Sequence, residues 1–205
     1  AETVAELRAL GVAAEAYQAD LGDETAVNAM VAAVLARFGR IDVLVNCAAV
    51  WRPKRLEDVT AADVRFHFDA NALGTFLCSQ HAGLAMAAQP EGGLIVTVGD
   101  WAEVRPYLNY AAYFPSKGAV TALTRCLAVE LGHRNPNVRV NAVLPGPVML
   151  PPELTEREKA DAVRGTLVKR EGSPRHVAQA VLSFLDNDFV TGVCLPVDGG
   201  RTGCL

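Results

Sequence analysis

Leu94-Ile95-Val96-Thr97-Val98-Gly99-Asp100 is an unbroken apolar run, rich in β-branched residues and stopped by a glycine and a carboxylate. A run this short and this apolar reads as a strand buried on both faces, and such strands belong to parallel sheets covered by helices. The neighbouring segments keep the pattern. Upstream, Ile41 to Asn46 reads as extended, and Ala61 to Ala88 as a long helical stretch. Downstream, Ala111 to Leu131 reads as a helix and Val138 to Val143 as a strand. Ser173 to Asp186 then reads as a helix with Ser173 as N-cap and Pro174 in its first position, followed by a last strand from Val193 to Val197. Nearer the start, Ala1 to Leu10 predicts a helix ended by Gly11, Val12 to Ala19 a strand, and Asp23 to Phe38 a helix. Alternating strands and helices predict a doubly wound α/β sheet, one domain over residues 1–205, with ligands bound beyond the carboxyl ends of the strands. Asn46, Asp100 and Pro145 all fall at such ends.

The chain has 205 residues, 51% of them hydrophobic, enough for one substantial core. A net charge of −4 leaves no basic footprint for nucleic acid, and no apolar stretch approaches the roughly 18 residues of a membrane span. Cys47, Cys78, Cys126, Cys194 and Cys204 are odd in number and widely spaced, which predicts buried thiols of a cytoplasmic protein and no disulfide framework. His67, His81, His133 and His176 are scattered without ligand spacing, so no metal is expected. Pro145 to Glu158 holds four prolines and predicts a loop over the site, with the charged stretch Glu156 to Arg170 as a helix able to close on substrate.

Tyr113 and Lys117 stand four apart, so one helix face carries a phenol beside an ammonium. The cation favours the phenolate and makes Tyr113 a better proton donor near neutral pH. With Asn71, the run ending in Asn46-Cys47-Ala48-Ala49, the Pro145-Gly146-Pro147-Val148 loop and the closing Asp198-Gly199-Gly200, this chain resembles the short-chain dehydrogenase/reductase family in motif order and spacing. The resemblance implies a Rossmann-like sheet, an NAD or NADP cofactor with NADPH favoured, a small-molecule substrate, and a homotetramer or homodimer paired through the helices at residues 61–88 and 111–131. It implies that Tyr113 and Lys117 are catalytic, that Asn71 completes a proton relay through a water on its backbone, and that Asp20, Asn46, Ala48, Tyr113, Lys117, Pro145, Gly146 and Val148 contact the cofactor. It also implies a first strand-helix-strand unit with a glycine-rich turn, which this sequence lacks, so the chain reads as N-terminally incomplete.

One position departs from the family. Thirteen residues before Tyr113, where relatives carry a serine that donates to the substrate carbonyl, stands Asp100. An ionised carboxylate only accepts, and its charge opposes Lys117 and raises the pKa of Tyr113. The pteridine reductase branch is similar here, using Asp, Tyr and Lys. Trp51, five residues after Asn46, matches the aromatic that sandwiches the pterin in that branch, and Trp101 supplies another candidate wall. The expected function is therefore reduction of a pteridine or similar nitrogen heterocycle. Ordinary carbonyl or alcohol chemistry and a non-catalytic scaffold protein are the alternatives.

Overall fold

A computed structural model of the protein describes residues 2–203. Among them four parallel strands, β1 (Val43–Asn46), β2 (Gly93–Val98), β3 (Val138–Pro145) and β4 (Cys194–Val197), form one sheet in the order β1-β2-β3-β4. The register pairs Val45 with Val96, Val96 with Asn141, and Val143 with Leu195. Along β2 successive side chains face opposite ways. Ile95 packs with Met86, Leu127, Leu131 and Val140 beneath α4 (Gly74–Ala88) and α5 (Phe114–Arg134), whereas Leu94 and Val96 pack with Phe184 of α7 (Pro174–Asp186) on the other face. Burial on both faces is why the run shows no polar alternation.

Helices α1 (Glu2–Ala9), α2 (Glu24–Phe38), α3 (Ala61–His67) and α6 (Glu156–Arg164) complete the elements that bear on the site. Asp23 caps α2 by accepting from the Thr25 and Ala26 amides, and Gly39 ends it at φ 79°. Ser173 and His176 form a reciprocal cap on α7. No helix among the described residues is long and apolar enough to cross a membrane.

The structure departs from the sequence reading in three places, and one expected strand stays unpaired. Residues 12–20 are extended but join no ladder; side chains hold the segment, with Arg8 Nε donating to the Ala14 carbonyl at 3.0 Å and Arg37 paired with Glu15. The helical stretch from Ala61 is broken by a π-helical turn at Phe68–Leu73, closed by the Gly74 amide to the Asp69 carbonyl five residues back. Helix α5 begins at Phe114 rather than Ala111, with Pro115 in its first turn, where a missing N–H costs no intrahelical bond. Of the four described thiols, only Cys78 is buried, Cys194 is half-buried, and Cys47 and Cys126 are exposed; Cys204 lies outside the described residues.

Met86 has no exposed surface and joins α4 to β2 and α5. Met86→Ala should cost about 2–5 kcal/mol of unfolding free energy in urea titration, as truncation of a packed core side chain does.

Candidate active site

The site grows from the end of β2. The Gly99 amide bonds to the Val143 carbonyl at 2.9 Å, and the Leu144 side chain packs over this glycine, its Cδ2 2.4 Å from where a Cβ would stand. Asp100 follows and caps the short turn Trp101–Glu103, its Oδ1 accepting from the Ala102 amide at 2.8 Å. Its Oδ2 accepts from the Tyr113 hydroxyl at 2.8 Å. Tyr113 sits at the entrance of α5, and one turn later Lys117, 5% exposed, donates from Nζ to the Val98 carbonyl at 2.8 Å. Asp100, Tyr113 and Lys117 are thus gathered at one strand end.

Their electrostatics differ from the simple Tyr-Lys picture. Burial, then the Asp100 charge and the bond to it, push the Tyr113 phenol far above its ordinary value. Lys117 does not offset this, because burial lowers its own pKa and its ammonium points to a backbone carbonyl. Burial raises Asp100 as well, although the Ala102 amide, the Tyr113 hydroxyl and Lys117 all pull it down. A carboxyl raised in this way can hold a proton and donate it, which the ionised form cannot. Asp100 and Tyr113 are therefore coupled, each shifting the other through one hydrogen bond.

Asn71, 1% exposed, lies in the π-helical turn. Its Oδ1 accepts from the Val50 amide at 2.7 Å, and its Nδ2 donates to the Val50 carbonyl and to Ser116 Oγ, both at 2.9 Å. Both Nδ2 hydrogens are engaged, so the side chain has no donor left for a relay water. Ser116 Oγ donates to the Tyr113 carbonyl at 2.6 Å, tying Asn71 to the start of α5.

A cavity of about 580 Å³ opens over Asp100 and Tyr113, lined also by Trp51, Trp101, Pro145 and Gly146 and bounded on one side by α6 through Glu158, Asp161 and Ala162. The expected helix over the site is α6, shorter than the stretch to Arg170. Two aromatic residues absent from the sequence reading complete the walls. Trp51 stacks on Tyr110 with centroids 5.5 Å apart and planes at 11°, and Tyr107 meets Tyr110 edge-on at 5.1 Å. Burial pushes the Tyr107 phenol up to about 12. The signal was present in the spacing of Tyr107, Tyr110 and Tyr113 at intervals of three. Arg201, also missed, lays its guanidinium over the Trp101 ring at 4.5 Å and donates to the Ala162 carbonyl.

The cofactor candidates fall on more than one surface. Asn46 and Ala48 line a separate cleft of about 400 Å³ with Tyr17, Ala19 and Cys47, and Asn46 Nδ2 donates to Ser79 Oγ at 2.9 Å. Asp20 lies at the adjoining turn, where its Oδ1 accepts from the Gly22 amide. Gly146 borders the main cavity, and a Cβ there would lie 2.6 Å from the Asp198 Cα. Val148 instead faces a smaller cavity of about 220 Å³ with Thr166 and His176. Asp198 is structural: its carboxylate accepts from the Gly200 and Thr202 amides and from the Thr202 hydroxyl. The Lys117 ammonium gives one hydrogen to the Val98 carbonyl and keeps two donors, a chemistry that fits the hydroxyls of a dinucleotide's ribose.

The family model described as enoyl-(acyl carrier protein) reductase matches residues 1–202. A short-chain reductase protein, NovJ of Streptomyces niveus, is 36% identical, covering 97% of this chain and 79% of its own. The protein belongs to the short-chain dehydrogenase/reductase family. This short-chain fold is also similar to acetoin dehydrogenase from Enterobacter cloacae, 34% identical with TM-score 0.87 over 100% of this chain and 81% of that one. It is similar to ElxO solved with NADP bound, 28% identical with TM-score 0.80 over 91% and 77% of the two chains. The family uses NAD(P), and the chain is an oxidoreductase of that family.

Because the folded pKa of Asp100 exceeds its unfolded value, the group is most compatible with the fold below the unfolded pKa, and stability is lost as pH rises through the folded value. Carboxyl-carbon NMR titration should give Asp100 a midpoint above that of free aspartate. In Tyr113→Phe, which removes a donor to the carboxylate, the midpoint should rise further.

Proposed function

We propose that the protein reduces a flat, nitrogen-containing heterocycle of the pteridine kind by hydride transfer from NADPH or NADH. The bond between Asp100 and Tyr113 at the floor of an aromatic cavity carries this reading. The nicotinamide supplies the hydride when bound. Asp100, held by the Ala102 amide, meets the heterocycle: its carboxyl form protonates a ring nitrogen, and its carboxylate form accepts from amino or ring N–H groups. A substrate N–H arriving on Oδ2 displaces the Tyr113 hydroxyl from that oxygen and leaves the phenol proton available for transfer. Lys117 holds the ribose and keeps a positive charge near the pair. Asn71 fixes the geometry through Val50 and Ser116 and completes the relay to solvent. Trp51 and Trp101 form walls, each with one face already in contact with Tyr110 or Arg201 respectively, so a flat substrate enters a slot that is partly built.

Asp20, Asn46, Ala48, Pro145, Gly146 and Val148 are proposed as cofactor contacts along the carboxyl edge of the sheet. The working form is proposed as a homotetramer or homodimer; Leu84 on α4 and Val129 on α5 stay exposed, as pairing through these helices requires.

A second reading is reduction of a carbonyl or oxidation of an alcohol, the chemistry printed in the name of the acetoin dehydrogenase relative. The raised pKa of Asp100 favours it, because a neutral carboxyl donates to a carbonyl oxygen as a serine hydroxyl does. Assays of NADPH and NADH oxidation with dihydrobiopterin and dihydrofolate beside a panel of ketones separate the two. The pteridine reading expects turnover of a pterin, with Asp100→Ala and Tyr113→Phe each reducing it by about 10²–10⁴-fold. Asp100→Ser should lower pterin turnover and raise that of ketones. Turnover of ketones alone by the parent enzyme would leave the second reading.

A further inference from the structure

The loop after β1 is gripped by one side of the helical stretch in three successive places. Asn71 holds both backbone groups of Val50. His67 Nε2 accepts from the Arg52 amide at 3.1 Å. Asp63 pairs with Lys54 Nζ at 2.7 Å, and the Lys54 amide donates to the Asn109 carbonyl at 2.7 Å, next to the tyrosine of the Trp51 stack. Residues 50, 52 and 54 alternate along an extended loop, while 63, 67 and 71 recur at four-residue intervals along the helical stretch. The residue between the first two contacts is Trp51, which lines the main cavity.

His67 is the central contact and is 2% exposed. A backbone N–H can only donate, so Nε2 must be the acceptor and the proton sits on Nδ1, which donates to the Asp63 carbonyl at 2.8 Å. Both ring nitrogens are used, and the ring meets Tyr113 edge-on with centroids 6.1 Å apart. An apolar residue could fill the same volume, but it would leave the Arg52 amide without this partner. The Arg52 side chain is placed separately, its guanidinium 4.0 Å over the Phe66 ring. None of the family motifs above includes this histidine.

We propose that His67 is a positioning residue for substrate selection: its neutral imidazole, by holding the Arg52 amide, fixes Trp51 in its stack on Tyr110 and so sets the width of the slot over Asp100. The assignment rests on Trp51 being a wall of the substrate cavity, as the proposed function has it.

The test needs no turnover. Trp101→Phe leaves Trp51 as the sole tryptophan, since the chain has two. In that background, time-resolved fluorescence anisotropy reports the sub-nanosecond freedom of the Trp51 ring. His67→Phe keeps an aromatic ring and loses the acceptor; the amplitude of fast depolarisation should rise at least about twofold. His67→Gln restores an acceptor through its amide oxygen and should return the amplitude to the parent value. An unchanged amplitude in His67→Phe, or equal loosening in His67→Gln, would overturn the proposal. Should far-UV circular dichroism show His67→Phe unfolded, Arg52→Pro removes the same N–H from the loop side; fast depolarisation rising there supports the proposal, and an unchanged value overturns it. KM for dihydrobiopterin should rise in His67→Phe with kcat little altered. If the anisotropy responds while the parent enzyme turns over no pterin, the substrate reading fails and the positioning role stands.

Discussion

The hydrogen bond from Tyr113 to Asp100 is the constraint around which the site is arranged. It joins the carboxyl end of a central strand to the entrance of the longest described helix, and both partners are held from behind. Gly99 packs under Leu144 at the end of β2, and Pro115 sits in the first turn of α5, with Tyr113 just before that turn. Ser116 and Asn71 tie that entrance to the loop bearing Trp51. Trp51, Trp101 and helix α6 border the cavity above this bond, and the buried Lys117 lies one turn along the same helix as Tyr113.

Its electrostatic consequence is a division of labour unlike the one the Tyr-Lys spacing alone suggests. Lys117 is too desolvated and too occupied with the Val98 carbonyl to make Tyr113 acidic. Burial and Asp100 together keep the phenol protonated, and burial keeps Asp100 closer to protonation than a surface aspartate. Of the pair, the carboxyl is the more readily titrated member. A serine in this position would donate one hydrogen bond and store no charge. Asp100 adds an acceptor for substrate N–H groups, which is the chemical ground for a heterocyclic substrate.

Much of the fold was legible because its strands are buried on both faces and its helix ends carry capping residues: Asp23, Ser173 and Gly39 mark boundaries that the backbone follows. Val12 to Ala19 has a strand-like sequence yet joins no ladder, because β propensity reports side-chain fit to a pleated surface, whereas a ladder also needs neighbouring backbone. The π-helical turn left no trace in hydrophobic spacing, since it changes the register by one residue within a helix buried on several sides. At the site, Tyr113 and Lys117 could be found because their spacing is local, and Asp100 because the family resemblance marks its position. Arg201 and His67 could not, because each acts on residues far away in sequence or on another element, and a lone histidine on a helix carries no pattern. Val148 and the Asn46–Ala48 segment show the same limit: order along the chain placed them at strand ends but did not say which cleft each would line.

The central claim is that Asp100 and Tyr113 share the proton delivered with hydride. It is tested most directly by the pH dependence of kcat/KM for reduction in the parent enzyme and in Asp100→Ser. The account predicts that the parent shows a limb falling as pH rises through the elevated pKa of Asp100 and that this limb disappears in Asp100→Ser. The same limb in both proteins would contradict it and return proton delivery to Tyr113 alone.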